Sequence, residues 1–410
     1  MTPEKRPTTA LVPLESDRKS VAPVAKSAYW GRVAASYTVI WRVLLIALLL
    51  FAVLFMLLFS RAFTYDSLFC FFKDIKTVSA FVPSDYETVY TTYEEGDGTS
   101  LSYRGGIAFI NRGGIEVYSP DGKRLLAVNR EMENPRAVAS RKYLVAYDNG
   151  SNGFSVTNSY AELFRGETEF PILGATVSDS GHFALITASD KALSEVLLYD
   201  NNFNLIQRFQ RSCATVGVSV SENGKRIAML EVGAEQGGAF TRLEIFELGE
   251  KNAALSVRFD GEFPLAVGFT SNKNLALLTD GALRCCNIEG KVLASVPTVG
   301  VPIAVDINEN GVLLVLETDG FSAAHRVIAL DKKGDTVCDE IFEGEVRSAA
   351  LGDGELFLLS RESAVRISTD TGKRTALPTG SEAIGLYIVD DGKLRVVYPA
   401  KAEFLSFERS

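Results

Sequence analysis

Few residues in this chain could do chemistry, and their spacing is poor for it. There are two histidines, His182 and His325. Two imidazoles cannot build a His-rich metal site, and they leave a Ser-His-Asp triad few options. His182 follows a turn glycine, where equivalent positions carry Lys or Arg, and is expected to be a solvated residue at a strand end. The five cysteines are Cys70, Cys213, Cys285, Cys286 and Cys338, an odd and sparse set rather than a disulfide framework. Cys285 and Cys286 are neighbours in an apparent strand, so their side chains should point to opposite faces and share no metal. Ser178-Asp179-Ser180-Gly181 comes nearest to a calcium loop or an Asp-box, but it lacks the aromatic anchor of the latter. No Asp-x-Asp-x-Asp-Gly run occurs, so this stretch reads as a hairpin turn. The Gly-Gly pairs at 105–106, 113–114 and 237–238 precede no helix and make no phosphate loop. No cofactor, metal or catalytic residue is expected on these grounds. Paired carboxylates are the remaining option, because glycoside hydrolysis needs two carboxyl groups roughly 5–9.5 Å apart.

The elements that would position such groups fall into two parts. Residues 43–59 form an unbroken apolar run, with Trp41 and Arg42 before it and Arg61 just after. At ~1.5 Å per helical residue, this run plus its flanks suits a hydrocarbon core of ~30 Å. Residues 1–61 hold eight Lys/Arg against three Asp/Glu, whereas the remainder holds 34 against 48. The basic side stays inside, which predicts a cytoplasmic N-terminus and an exported, acidic remainder. Such an acidic domain opposes nucleic-acid binding. The region before the run is too long for a cleaved signal peptide, and Cys70 has bulky Leu68 and Phe69 before it instead of a lipobox. The expected organisation is a disordered cytoplasmic tail over 1–36 and a transmembrane signal-anchor helix over 37–61. A juxtamembrane linker over 62–85, able to start a short helix at Asp66 or Ser67, then leads to an extracytoplasmic domain over 86–410.

That domain repeats. A small, apolar segment recurs as Ala175-Thr176-Val177-Ser178, Val216-Gly217-Val218-Ser219, Ala266-Val267-Gly268-Phe269 and Ala304-Val305-Asp306-Ile307. Polar turns such as Glu222-Asn223-Gly224 or Glu309-Asn310-Gly311 follow, then a strongly apolar strand, an alternating strand, another turn and a fourth short strand. Asn-Gly and Asp-Gly between apolar runs are strong hairpin signals. Four strands every 36 to 49 residues match the spacing of propeller blades. The predicted fold is all-β, a β-propeller of about eight four-stranded blades, with seven as the alternative. The last repeat lacks a fourth strand, and the segment 87–93 is expected to supply it and so close the ring. The longest excursion, residues 232–240, reads as a flexible hairpin tip, with Glu235, Gln236 and Phe240 as candidate partner contacts. Both tryptophans, Trp30 and Trp41, lie at or before the apolar run. This disfavours a quinone-cofactor dehydrogenase propeller, which relies on tryptophans, and a true WD-repeat protein, whose Trp-Asp and Gly-His dipeptides do not occur.

The ordered set of motifs behind an anchor resembles an uncharacterised group of bacterial membrane-anchored propeller proteins, found mainly in Gram-positive anaerobes. The residues that carry the likeness are Ile115-Glu116-Val117-Tyr118-Ser119-Pro120-Asp121-Gly122-Lys123, Tyr143-Leu144-Val145-Ala146-Tyr147-Asp148, Ser221-Glu222-Asn223-Gly224-Lys225-Arg226-Ile227-Ala228-Met229-Leu230 and Arg242-Leu243-Glu244-Ile245-Phe246. The resemblance covers nearly all of the chain from about residue 40. It implies the architecture and carries no activity or site residues with it. The functional expectation is a non-enzymatic scaffold in the cell envelope, with the membrane and other envelope proteins or cell-wall material as partners. A carbohydrate-active hydrolase using paired carboxylates is the alternative.

Overall fold

The computed structural model describes residues 28–58, 89–90, 98–120, 122–235, 237–318, 324–390 and 392–407. The chain divides into two units, residues 1–64 and 65–410. The first contains the helix Ala28–Leu58. Its described side chains, residues 36–51, are all exposed, and most of them are large and apolar. Among the described residues, no helix is long and apolar enough to cross a membrane. The apolar run ends at Phe59 and its basic flank at Arg61, both outside the described residues, as are Cys70 and the linker 62–85.

The second unit is an eight-bladed β-propeller, each blade a four-stranded antiparallel sheet. Blades 1 to 7 span residues 99–129, 135–167, 172–211, 214–260, 264–297, 301–343 and 348–378. Blade 8 takes three strands from residues 385–406 and its outermost strand from Val89–Tyr90. In that closure, Val89 pairs with Ala402 and Tyr90 with Lys401, so the start of the domain is sewn to its end. Closing the ring in this way covers part of the outer edge that Lys401–Ser406 would otherwise expose.

The burial pattern of each strand follows from its radial place. Second strands such as Phe183–Thr187 are buried at every residue, because both faces of the blade lie against neighbouring blades. Fourth strands such as Leu255–Asp260 alternate between half-buried and exposed, because they form the rim. The cores therefore sit between blades. Leu313, Val315 and Val327 of blade 6 pack on Leu351, Leu356 and Leu358 of blade 7. Between blades 2 and 3, Phe154 packs 5.9 Å from Phe183 and 5.6 Å from Tyr199, and the last two stack at 4.6 Å. Phe and Tyr thus fill the inter-blade space in a ring whose sequence has no tryptophan. Cys285 and Cys286 do face opposite ways, the first in the core shared with blade 6 and the second in the core shared with blade 4.

Two expectations need correction. His182 is half-buried rather than solvated: Ser180 Oγ lies 2.9 Å from its Nδ1, and burial lowers its pKa. The excursion after Leu230 is no flexible tip. It is built from two ten-residue strands, Arg226–Glu235 and Gly238–Glu247, paired in register out to Glu235 and Gly238.

Candidate functional site

The innermost strand of each blade lines a central channel of ≈ 1250 Å³. Small residues make room for eight strands around one axis. A Cβ on Gly268 would lie 2.6 Å from Ile307 Cγ2 of the next blade. Because each innermost strand runs the same way, the channel has two chemically distinct mouths.

One mouth is made by the turns between first and second strands, and it is charged. Arg104, Arg141, Asp179, Glu222, Glu309 and Asp353 line it. Arg104 sits at φ 53°, followed by Gly105 at φ 74°, the left-handed pair that a tight two-residue hairpin requires. Three of these charges bind one blade to the next. The backbone N–H of Arg141 donates to Asp179 Oδ1 at 2.7 Å, its Nε to Asp179 Oδ2 at 2.5 Å and its Nη2 to Glu222 Oε1 at 3.2 Å. This ties blades 2, 3 and 4 and, chiefly through the Asp179 hydrogen bond, raises the Arg141 pKa. Asn272 Oδ1 accepts the N–H of Asn223 at 2.9 Å, extending the ties to blade 5.

Deeper in the channel, Asp306 Oδ2 accepts the backbone N–H of Leu351 at 2.8 Å and an N–H of Asn308 at 3.0 Å, joining blades 6 and 7. Desolvation dominates over both bonds and pushes its carboxyl up to about 6, with Glu309 adding to the rise. Chemically, this is one acid able to hold or release a proton near neutrality. Tyr387, also lining the channel, donates its hydroxyl to Ser100 O across the seam between blades 8 and 1. Among the described residues, no group of three or more His, Cys, Asp and Glu is placed to hold a metal ion. His325 is buried, its Nδ1 2.8 Å from Gly344 O.

The opposite mouth, where the innermost strands begin, carries exposed apolar residues in four blades and an exposed Arg136 at the equivalent position of blade 2. In blades 3, 4, 5 and 6 a β-bulge interrupts the pairing of the first strand with the second. The register steps from Ile172 to Gly174, Thr215 to Gly217, Pro264 to Ala266 and Pro302 to Ala304, each against one residue of the partner strand. The extra residues are Leu173, Val216, Leu265 and Ile303, which are 52, 45, 43 and 37% exposed. Bulges re-aim side chains out of the alternating pattern. Val299 and Val301 before Ile303, and Ile384 at the entry to blade 8, are exposed as well.

The residues singled out from sequence lie elsewhere. Trp41 and Arg42 are exposed on the helix, with Trp41 Nε1 3.3 Å from the Tyr37 hydroxyl. Arg61 and Gln236 are outside the described residues. Glu235 is exposed and accepts from Arg258 at 2.8 Å. Phe240 is buried, with the Arg258 guanidinium 3.8 Å from its ring centroid, so its side chain offers a partner no free face. The sequence reading passed over the bulge residues. Their signal is a bulky apolar residue followed by Gly or Ala at the start of the repeat, as in Pro264-Leu265-Ala266 and Pro302-Ile303-Ala304.

The chain belongs to a family of unknown function, DUF5711, which it matches over residues 82–405. No curated protein matches it. Among solved structures it is similar to a eukaryotic initiation factor, at 11% identity and a TM-score of 0.53, over 80% of this chain and 92% of that one. It is also similar to BamB from Moraxella catarrhalis, at 12% identity and a TM-score of 0.51, over 80% of this chain and 98% of that one. At such identities the likeness shows the propeller fold alone.

Proposed function

We propose that this member of the family is a non-enzymatic scaffold of the cell envelope, held to the membrane by the helix that precedes its propeller. The observation that carries the reading is the use of charge in the channel. Arg141, Asp179 and Glu222 are engaged with one another and hold three blades in place, which serves rigidity rather than turnover. Rigid faces pre-organised in this way bind without a large ordering cost. The anchor rests on the apolar run at 43–59, the Trp41, Arg42 and Arg61 flanks and the basic excess before it, which by the positive-inside rule favours a cytoplasmic N-terminus and a propeller outside. Partners are other envelope proteins or cell-wall material.

In-cell crosslinking followed by affinity purification of the full-length chain tests the reading. A reproducible set of envelope proteins, lost when residues 86–410 are deleted and the helix kept, supports it. An unchanged set after that deletion removes it. One observation favours a hydrolase instead: Asp306, its carboxyl pushed up to about 6 and Glu309 adding to the rise, is a candidate general acid in the channel. Glycan cleavage by the full-length chain, abolished by Asp306→Asn, would establish that reading.

A further inference from the structure

We propose that the exposed apolar arc on blades 3 to 6 is a self-complementary interface through which two copies of this chain pair face to face, an assembly independent of any partner the propeller recruits. The arc starts from the bulge, repeated in four consecutive blades and absent at this end of the innermost strands in the other four. It sets Leu173, Val216, Leu265 and Ile303 in solvent. Four more residues extend it: Leu193, Phe263, Val299 and Val301 are 66, 52, 71 and 63% exposed. Hydrogen bonds between neighbouring blades bring them together. Ser194, next to Leu193, donates to Cys213 O at 3.1 Å, and its Oγ lies 2.9 Å from that of Thr215, next to Val216. Thr241 of blade 4 donates to Glu262 O at 2.6 Å, just before Phe263. Asp280 then links Phe263 to Val299: its Oδ1 accepts the Phe263 N–H at 2.8 Å, and its carbonyl accepts the Thr298 hydroxyl at 2.9 Å.

Size and charge identify the occupant. The exposed fractions of these eight residues amount to roughly 800 Å², about what each partner buries in a standard interface and above the ~300–600 Å² of the largest apolar patch on a typical monomer. Homodimer interfaces are the more apolar class, and a twofold axis sets one patch against itself. Such a patch must not repel its own copy. In the connections that lead into blades 4, 5 and 6, the one charged side chain is Glu262, which is half-buried and held by Arg284 at 2.6 Å. Exposed charges in the other loops of blades 3 to 5 on this face carry both signs: Glu169, Asp190 and Lys191 on blade 3, Glu235 paired with Arg258 on blade 4, and Asp280 on blade 5. A twofold axis through this half also leaves Glu131, Glu133 and Arg136, at the entry to blade 2, in water. A bilayer laid flat on the same face would have to desolvate them.

The test uses the full-length chain in phosphatidylcholine nanodiscs loaded at one chain per disc, so that helices in separate discs cannot meet. Sedimentation velocity follows the mass of the loaded discs at micromolar concentrations, with empty discs as blank. The expected result is a concentration-dependent doubling of the loaded discs. Leu265→Ser with Ile303→Ser changes residues that are already partly in solvent, so folding is spared, and each dimer loses four apolar side chains from its interface. Half-burial of one such side chain accounts for about three- to eightfold, hence pairing weaker by about a hundredfold or more. Val299→Ser with Val301→Ser, at the entry to blade 6, should weaken it in the same direction. Ile341→Ser, an exposed residue on the rim strand of blade 6, should leave it unchanged. Discs that stay single at every concentration overturn the proposal, whether the arc then lies on lipid or receives a different protein. Doubling that persists in both double variants overturns it too, because the pairing would then use another face.

Discussion

Removing Glu231 should loosen the seam between blades 3 and 4 more than any other single charge deletion in the ring. Its carboxylate is fully buried in the second strand of blade 4. Arg211, the last residue of blade 3, donates to it and to Glu244, and Arg242 lies 3.1 Å from its other oxygen. Burial acting alone would lower the Arg211 pKa, yet the two carboxylates leave it raised, so the ion pairs outweigh desolvation here. Deleting one partner of a buried pair costs about 3–5 kcal/mol. Arg211 and Arg242 retain some solvent access and Glu244 stays, so about 2–4 kcal/mol is expected for Glu231→Ala, and about 1–2 for Glu231→Gln, which keeps shape and one acceptor. Urea unfolding of the full-length chain, followed by far-ultraviolet circular dichroism because the propeller has no tryptophan, reads the loss. A double-mutant cycle with Arg211→Ala should return a coupling of about 1–3 kcal/mol. A loss under about 0.5 kcal/mol, or a coupling near zero, would refute the claim that this network holds the seam.

Other outcomes follow from single observations. Gly268→Ala places a Cβ against Ile307 of the next blade and should cost about 1–3 kcal/mol, whereas Gly237→Ala, with open space around it, should be near neutral in the same assay. Asp306 has a folded pKa of about 6, above its unfolded value, so its contribution to stability is greatest at acid pH and is lost as pH rises from about 4 through 6. Asp306→Asn should therefore gain on the wild type across that window, by about 1–2 kcal/mol after allowing for solvent in the channel, and a flat difference from pH 4 to 8 would contradict the assignment. Tyr90→Cys with Lys401→Cys, register partners in the closing pair, should form a disulfide on mild oxidation that raises the unfolding midpoint, whereas either single variant should not.

Much of the architecture could be read before any coordinates, for reasons that lie in local physics. Asn-Gly and Asp-Gly turns announce hairpins because only a few residues tolerate a left-handed backbone, and strands buried on both faces must be apolar throughout. The ring closure was legible as bookkeeping: a repeat short of one strand and an orphan strand at 87–93, of which Val89–Tyr90 is the paired portion. What escaped depends on register. Leu173 and Leu265 look like ordinary strand residues until the bulges beside them turn them into solvent. Asp306 looks like any acidic turn neighbour until burial between blades 6 and 7 lifts its pKa. Phe240 suggested a contact because the hairpin around it is long, but pairing in register carries its side chain under Arg258.

The central claim, that the propeller is a docking scaffold, is tested most directly by comparing what co-purifies from crosslinked intact cells with two forms of the chain. These are the full-length protein and the form lacking residues 86–410. The account predicts a defined set of partners with the first and none of them with the second. The same partners at the same abundance on both would mean that the helix alone recruits them, and the propeller would need another role.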